Sequence, residues 1–516
     1  MINLGDKKWG VKDSGLLAYK QVGSKFFNKD FDFTRSSDAT YIDKNGVLQT
    51  QSLYNLLDYS NDFSQFDYIA DTTITANATT APDGSLTASK IEGIGNWLLR
   101  DFVGATINVE STISIWIKAV DSESKNTFRL SNGGNNFSDN FTATNQWQRF
   151  EFTATSTGGA SSGLIRDSSN NEADLYIWGM QVVLGSEPLD YQYTNGRVGI
   201  PRIDFSDGVG SLLLEPQRTN LVTHSANINN YLTSQFDATI TYEYDISPDG
   251  TLNSSRVEFA DSTAGAYKAV TISSEHTASI YVKGTAGETI MFGFGANVTV
   301  GSIYTFTGEW QRLTFTATSG AVIFLSTYGG ATARDFEAFG LQLEAGSYAT
   351  SYIKSNSGST TTRTADLANN CGTEQDFNSE EGVLYLEASA LAEGEVHRHI
   401  AITDGSFNNY LYLRYSSDSG RFQGFLKSGG GTLDSLSSAG RVQTDNNKIA
   451  LVYKASEFSM WLNGSKVSTT TPTAMPIGLN ELEFELGTSN PFYGKVRSVK
   501  YFPTALTDEE LEAITT

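Results

Sequence analysis

Trp147-Gln148-Arg149-Phe150-Glu151-Phe152-Thr153-Ala154-Thr155 returns later in the chain as Trp310-Gln311-Arg312-Leu313-Thr314-Phe315-Thr316-Ala317-Thr318, a displacement of 310 − 147 = 163. Phe150, Phe152 and Ala154 alternate with polar residues, and Leu313, Phe315 and Ala317 take their places, so one strand face is apolar twice. Outward from this stretch the matches stay in order. Pro82-Asp83-Gly84-Ser85-Leu86 returns as Pro248-Asp249-Gly250-Thr251-Leu252, and Ser114-Ile115-Trp116-Ile117-Lys118 returns as Ser279-Ile280-Tyr281-Val282-Lys283. Gly179-Met180-Gln181 returns as Gly340-Leu341-Gln342. The displacements, 248 − 82 = 166, 279 − 114 = 165 and 340 − 179 = 161, drift as small loop deletions make them drift. The chain carries a duplicated domain, over 53–195 and 218–355.

Short alternating runs punctuated by Ser, Thr, Asn and 48 glycines, with only 9 prolines, give the texture of an all-β protein. Strands spaced about every 8–12 residues predict two duplicated antiparallel jelly-roll sandwiches. Across 376–516 the strand pattern resumes, with Val383-Leu384-Tyr385-Leu386, Ile449-Ala450-Leu451-Val452-Tyr453 and Phe458-Ser459-Met460-Trp461-Leu462. Asn463-Gly464 then predicts a tight hairpin. Thr507 followed by Glu510 is a capping box, so one short C-terminal helix ends the chain. Segments 196–217 and 356–375 read as links. Residues 1–52 carry Trp9, Val11, Leu16-Leu17, Phe26-Phe27, Phe31 and Phe33 in scattered groups, too few for a core of their own. They are expected to form an arm that folds on a neighbour.

Lys plus Arg number 36 against 58 Asp plus Glu, a formal charge of −22. That field repels phosphate backbones and excludes nucleic acid as a partner. No window approaches about 18 consecutive apolar residues, so no membrane insertion is expected. Cys371 is the single cysteine, and it lies in a polar stretch that reads as incidental. No export signal is readable, so the sequons at Asn136 and Asn297 read as chance and synthesis in a bacterial cytosol is expected.

The tail resembles the laminin-G / concanavalin A-like sandwich family. The carrying residues are Lys448-Ile449-Ala450-Leu451-Val452-Tyr453, Trp461-Leu462-Asn463-Gly464, and Gly494-Lys495-Val496-Arg497-Ser498-Val499-Lys500-Tyr501-Phe502-Pro503 running into the capped helix. The repeats are similar to carbohydrate-binding-like jelly-roll modules of bacteriophage structural proteins, through Tyr59-Ser60-Asn61-Asp62-Phe63 and the Pro82-Asp83-Gly84 turn. Pro201-Arg202-Ile203-Asp204-Phe205 through Leu214-Glu215-Pro216-Gln217-Arg218-Thr219-Asn220-Leu221 resembles a segment of phage tail and virion-surface proteins. These resemblances imply a non-enzymatic virion-surface protein. It would be a homo-oligomer held to other virion proteins by its N-terminal region and adhering to host or environmental polysaccharide, or else a purely structural decoration or fibre subunit.

Sugar binding calls for exposed aromatics beside hydrogen-bonding side chains. Trp97 and Tyr267 fall in corresponding regions of the two copies, and Trp116 and Tyr281 lie on the polar-looking side of their strand. Trp147, Trp310, Trp178 and Phe339 recur in place and suit the core. Asp174 and Asp335 precede the last strand of each copy, with Asp167 and Glu172 nearby in the first. As hard oxygen donors they are candidates for a structural calcium ion, or else ordinary polar turn residues. No other cofactor is expected. Glu481-Leu482-Glu483-Phe484-Glu485-Leu486 places three carboxylates on one strand face. Concanavalin A-like glycosidases use such alternation, though their motif has Asp at the middle position, so a polysaccharide depolymerase is the alternative and a solvated strand face the plainer reading. His397 and His399 would share a strand face, with no third ligand at metal spacing.

Overall fold

The computed structural model describes residues 19–22, 25–28, 31–35, 37–51, 55–93, 97–101, 110–121, 125–134, 136–156, 161–194, 201–355, 358–374, 376–394, 396–418, 420–487 and 490–516. Trp9, Val11, Leu16 and Leu17 lie outside them. The protein is all-β, and among the described residues the one α-helix is Asp508–Thr515. Thr507 accepts from the Glu510 backbone N–H and donates its own to the Glu510 carboxylate, which closes the capping box. The chain divides into two compact units, Ser52–Gly199, and Met1–Gln51 with Ile200–Thr516.

The first unit is a sandwich of two five-stranded antiparallel sheets. One runs Gln148–Thr155, Glu110–Ala119, Leu175–Leu184, Ala88–Glu92, Thr73–Thr79 in spatial order; the other runs Phe141–Thr142, Thr127–Ser131, Ser161–Arg166, Trp97–Asp101, Tyr68–Ala70. In the second unit the same order recurs. Its sheets are Gln311–Ala317, His276–Gly284, Asp335–Ala345, Ser255–Phe259, Ala238–Tyr242, and Ser302–Thr305, Thr289–Gly295, Gly320–Ser326, Gly265–Ile272, Ser234–Phe236. Irregularities recur too. The register slips between Ser114 and Trp116 in one copy and between Ser279 and Tyr281 in the other. Beside each slip stands a glycine with φ near +66 and +68°, Gly179 and Gly340. A Cβ on Gly179 would meet the Tyr191 ring at 3.3 Å, and one on Gly340 the Tyr352 ring at 3.3 Å. Both backbone hand and space therefore demand glycine at this point.

The tail folds as a seven-stranded sheet on a five-stranded one. Asn463 and Gly464 both have positive φ, +47 and +81°, as the hairpin between Glu457–Leu462 and Ser465–Thr470 requires. Two neighbouring segments prove to be part of this sandwich. Ser211–Leu214 and Arg202–Asp204, read above as a link, extend the larger sheet, the first pairing with Gly494–Phe502 and the second with the first. Asp32–Thr34 pairs with Leu367–Asn369, and Phe31 and Phe33, both fully buried, enter the same core as Leu212, Leu386 and Leu482. Their expected burial against a neighbour is thus met inside the chain. Cys371 is likewise no incidental polar-linker residue. Its side chain is buried in this core, and its backbone exchanges hydrogen bonds with Leu482 at 3.0 and 2.7 Å.

A buried ion cluster ties these segments together. Arg35 bonds Asp366 at 2.9 Å, Arg202 bonds Asp366 at 2.5 Å and Glu215 at 2.8 Å, and Arg363 bonds Glu215. Burial holds the Arg35 guanidinium down to about 10. Glu215 goes the other way: against the cost of burial, the Arg363 and Arg202 charges hold it at about 2. Ser351, at the end of the second copy, donates to Glu215 through both its N–H and its hydroxyl. The hairpin Ala39–Ile42 with Leu48–Gln51 also docks on that copy, Leu48 joining Phe339 and Tyr352.

Candidate functional site

In the first unit the sheet ending in Trp97–Asp101 and Tyr68–Ala70 turns Leu98, Leu130 and Leu164 inward to the core. Strand alternation therefore turns their neighbours outward. Trp97 lies opposite Ile165, and Ile165 opposite Arg129, so the three form one cross-strand row on the face away from the core, with Ile165 itself covered. Trp97 is 48% exposed, as its assignment as a stacking platform requires. Tyr68 and Ile69, on the adjoining strand, are exposed as well. At the other end of the row Phe137, 45% exposed, lies with its ring centre 5.3 Å from the Arg129 guanidinium carbon. Arg129 and Phe137 line a cleft of about 530 Å³ with Ser138, Asp139, Asn140 and Ser168. Sequence reasoning missed this cleft. The sole local signal was the polar run Asn132 to Asn140, which is indistinguishable from any turn-rich loop. The amide of Asn136 donates to the carbonyls of Asn132, Gly133 and Thr155, so it is built into that loop.

The second copy presents a different face. Counting without gaps from Gly179 and Gly340, Leu164 matches Leu325, since 340 − 179 = 325 − 164 = 161. Leu325 pairs with Ala266 and Phe292 as Leu164 pairs with Leu98 and Leu130. The row matching Trp97, Ile165 and Arg129 is then Gly265, Ser326 and Met291. Tyr267 is half-buried two residues further along its strand, with Phe236 at 6.3 Å between ring centres. It matches Leu99, not Trp97, which corrects the expected equivalence.

Trp116 and Tyr281 are corrected too. Trp116 packs with Trp147 and Tyr191 around buried Trp178, and Tyr281 packs with Trp310 around Phe339 and Tyr352. Burial pushes the Tyr281 hydroxyl above its ordinary range. The strand side that looks polar in sequence carries a second, smaller apolar cluster in each copy, so neither ring is a platform.

The calcium candidates are held by the protein itself. Arg256 forks onto both Asp335 oxygens at 2.9 and 2.7 Å, which lowers that carboxyl. Asp174 accepts from Gly93 N–H at 2.6 Å, with Lys125 3.8 Å away. Asp167 accepts from the backbones of Ser169 and Asn171, and Glu172 faces Lys125. Among the described residues no group of three His, Cys, Asp or Glu is placed to hold a metal ion.

On the C-terminal sandwich, Ile400, Ile402, Leu411, Leu413 and Leu482 face the core from the five-stranded sheet. Alternation puts His399, Ala401, Tyr410, Tyr412, Phe425 and Glu483 on its other face, where Tyr412 stacks on Phe425 at 4.6 Å and meets the His399 ring at a tilt, 4.9 Å between centres. Glu481 and Glu483 share this face opposite Thr403 and Ala401. Beyond Glu483 the alternation ends. Leu486 joins the Tyr410 and Tyr412 cluster, and Glu485 turns to the Asn369 amide. The expected row of three carboxylates is a row of two. Burial, reinforced by the Glu481 and Glu485 charges, pushes Glu483 up to about 7. His399 is 5% exposed with both ring nitrogens unpartnered, and burial, with Arg414 and His397, lowers it to about 4. His397 accepts at Nδ1 from Ser417 N–H and stacks 6.2 Å from His399.

Residues 390–512 match the family model of the concanavalin A-like lectin/glucanases superfamily. Among solved structures the chain is similar to the CBM40 of the Ruminococcus gnavus IT-sialidase, at 19% identity over 29% of this chain and 94% of that one, TM-score 0.25. It is similar to the CBM22-1-CBM22-2 tandem of Paenibacillus barcinonensis Xyn10C, at 13% identity over 57% of this chain and 99% of that one, TM-score 0.21. Domains LG4-5 of the mouse laminin alpha1 chain are similar at 7% identity, over 58% of this chain and 95% of that one, TM-score 0.20. No curated protein matches the chain.

Proposed function

We propose that this is a glycan-binding adhesion protein, non-enzymatic, built from two jelly-roll modules and a concanavalin A-like lectin module. The observation that carries the reading is the outer face of the first module, where exposed Trp97 shares one row with Arg129 beside the Phe137 cleft. An exposed indole on a rigid strand offers a flat apolar surface to a sugar ring at little conformational cost, and flanking amides and hydroxyls supply direction. The C-terminal match to a lectin and glucanase superfamily supports the same class of partner. The likeness of the 201–221 segment to phage tail proteins supports a place on a virion surface, where several copies on one particle would add avidity.

Retention of the full chain in native gels containing host-type polysaccharide tests this. Trp97→Ala is expected to abolish most of the retardation while leaving thermal stability within about 0.5 kcal/mol, because the side chain is solvent-facing. Unchanged retardation would remove Trp97 from the site. One observation favours a second reading, a depolymerase: Glu483, pushed up to about 7, is protonated in the range a general acid needs. Release of reducing ends that disappears in Glu483→Gln would establish it; the lectin reading expects no release.

A further inference from the structure

The chain has 58 carboxylates to 36 Lys and Arg, so a surface arginine without an acidic partner stands out. In the first unit Arg100 bonds Asp58 and Asp67, and Arg149 lies 3.6 Å from Glu151. Arg129 has no ion pair among the described residues. Its Nε donates to the Arg166 carbonyl at 3.2 Å, which fixes the guanidinium plane, and its two terminal nitrogens have no hydrogen-bond acceptor among the described residues. Its charge is felt at Asp167, whose Oδ1 already accepts from the Ser169 and Asn171 N–H groups and whose Oδ2 accepts from the Asn171 amide. Phe137 packs against the guanidinium and holds it at the cleft wall. A fork of two N–H donors, held in place and unfilled, matches the two oxygens of a carboxylate.

The rest of the cleft narrows the ligand further. Asp139 also lines it, and a second carboxylate there repels a bare anion but accepts from sugar hydroxyls. Asn140 accepts from Ser168 N–H through Oδ1, which leaves its Nδ2 as a donor. At about 530 Å³ the cleft is of the size that seats one or two sugar rings. The second copy has Met291 in place of Arg129 and Gly265 in place of Trp97, so the feature belongs to one module and not to the fold.

We propose, resting on the glycan-binding reading above, that the cleft of the first module selects a sugar bearing a carboxylate. The carboxylate pairs with Arg129, ring hydroxyls with Asp139 and Asn140, and the apolar ring face with Phe137, while Trp97, along the same row but outside the cleft lining, takes an adjoining ring. The test uses the full chain in native gels cast with polygalacturonate, alginate, hyaluronan or polysialate, each beside its carboxyl-reduced counterpart. Reduction turns the acid into a neutral alcohol and keeps the sugar. At least one acid form is expected to retard the protein about tenfold more strongly than its reduced partner. Arg129→Gln should erase that difference, Arg129→Lys should keep part of it, and Trp97→Ala should weaken retention by both forms. Equal retardation by acid and reduced forms, or discrimination that survives Arg129→Gln, overturns the inference and leaves glycan binding standing. Retardation by none of the eight polymers overturns both. Arg129→Lys keeps the charge, and its circular dichroism separates lost recognition from lost folding.

Discussion

The two copies of the jelly roll agree wherever the backbone is constrained and differ wherever it faces out. Strand order, the register slip and its left-handed glycine are the same in both. The outward row is not: Trp97, Ile165 and Arg129 stand in one copy, and Gly265, Ser326 and Met291 in the other. In the second copy the same sheet face is also closed by its own loop. A Cβ on Gly293 would come within 2.8 Å of the Gly301 Cα, and one on Gly295 within 2.6 Å of the Val300 Cβ. Duplication thus preserves what packing enforces and frees the solvent face of each copy to diverge. The second copy carries a further difference, because it is fastened through Ser351 and Tyr352 to the N-terminal hairpin and the ion cluster.

That fastening offers the largest effect. Glu215→Ala would leave Arg363 buried without its acid and Arg202 with only one of its two, at a cost of about 3–5 kcal/mol. Calorimetry of the whole chain should show the transition of 200–516 lowered and that of 52–199 unchanged. A uniform shift of both would break the contrast. Replacing the shared glycines sharpens the likeness instead. Gly179→Val and Gly340→Val each force a left-handed β-branched residue against a tyrosine ring, and each should cost about 2–3 kcal/mol in its own module. Tolerance at one site alone would show that the copies differ inside as well.

The smallest effect is a pH dependence confined to the C-terminal sandwich. Glu483 is raised in the folded chain to about 7 from its ordinary 4.5. Its protonated form therefore favours folding below the unfolded value, and that contribution is lost as pH rises through about 7. Glu483→Gln should be more stable than the parent by about 1–3 kcal/mol at pH 8 and equal to it at pH 4. His399 has the opposite sign, since its folded value of about 4 makes its contribution full above its ordinary 6.5 and lost as pH falls through 4. Denaturant melts of His399→Phe against the parent at pH 4 and 8 separate the two. A difference that does not change with pH would mean that the ring stays accessible to protons.

Much of the fold was legible because its signals are short-range or periodic. Alternation in Phe150, Phe152 and Ala154 gave a strand, Asn463-Gly464 a hairpin, Thr507 and Glu510 a helix start, and repetition gave the duplicated sandwich. The site was legible only in part. Trp97 is exposed as expected, but Trp116 and Tyr281 alternate with apolar residues in the same way and are covered, because their strand face meets Trp178 or Phe339 from another strand. Period two says that a residue leaves one face; it does not say what waits on the other.

By itself the sequence determined the all-β class, the duplication, the strands and turns, and the net charge of −22. The tertiary structure alone decided that Phe31 and Phe33 complete the C-terminal core, that Cys371 is buried, and that Arg129 has no ion pair among the described residues. It also brought Arg35 to Asp366 across 331 positions of chain. Local pattern reports which groups must be buried or paired. The choice of partner is made by chain closure over hundreds of residues, where desolvation favours only the arrangement in which every buried charge meets its opposite.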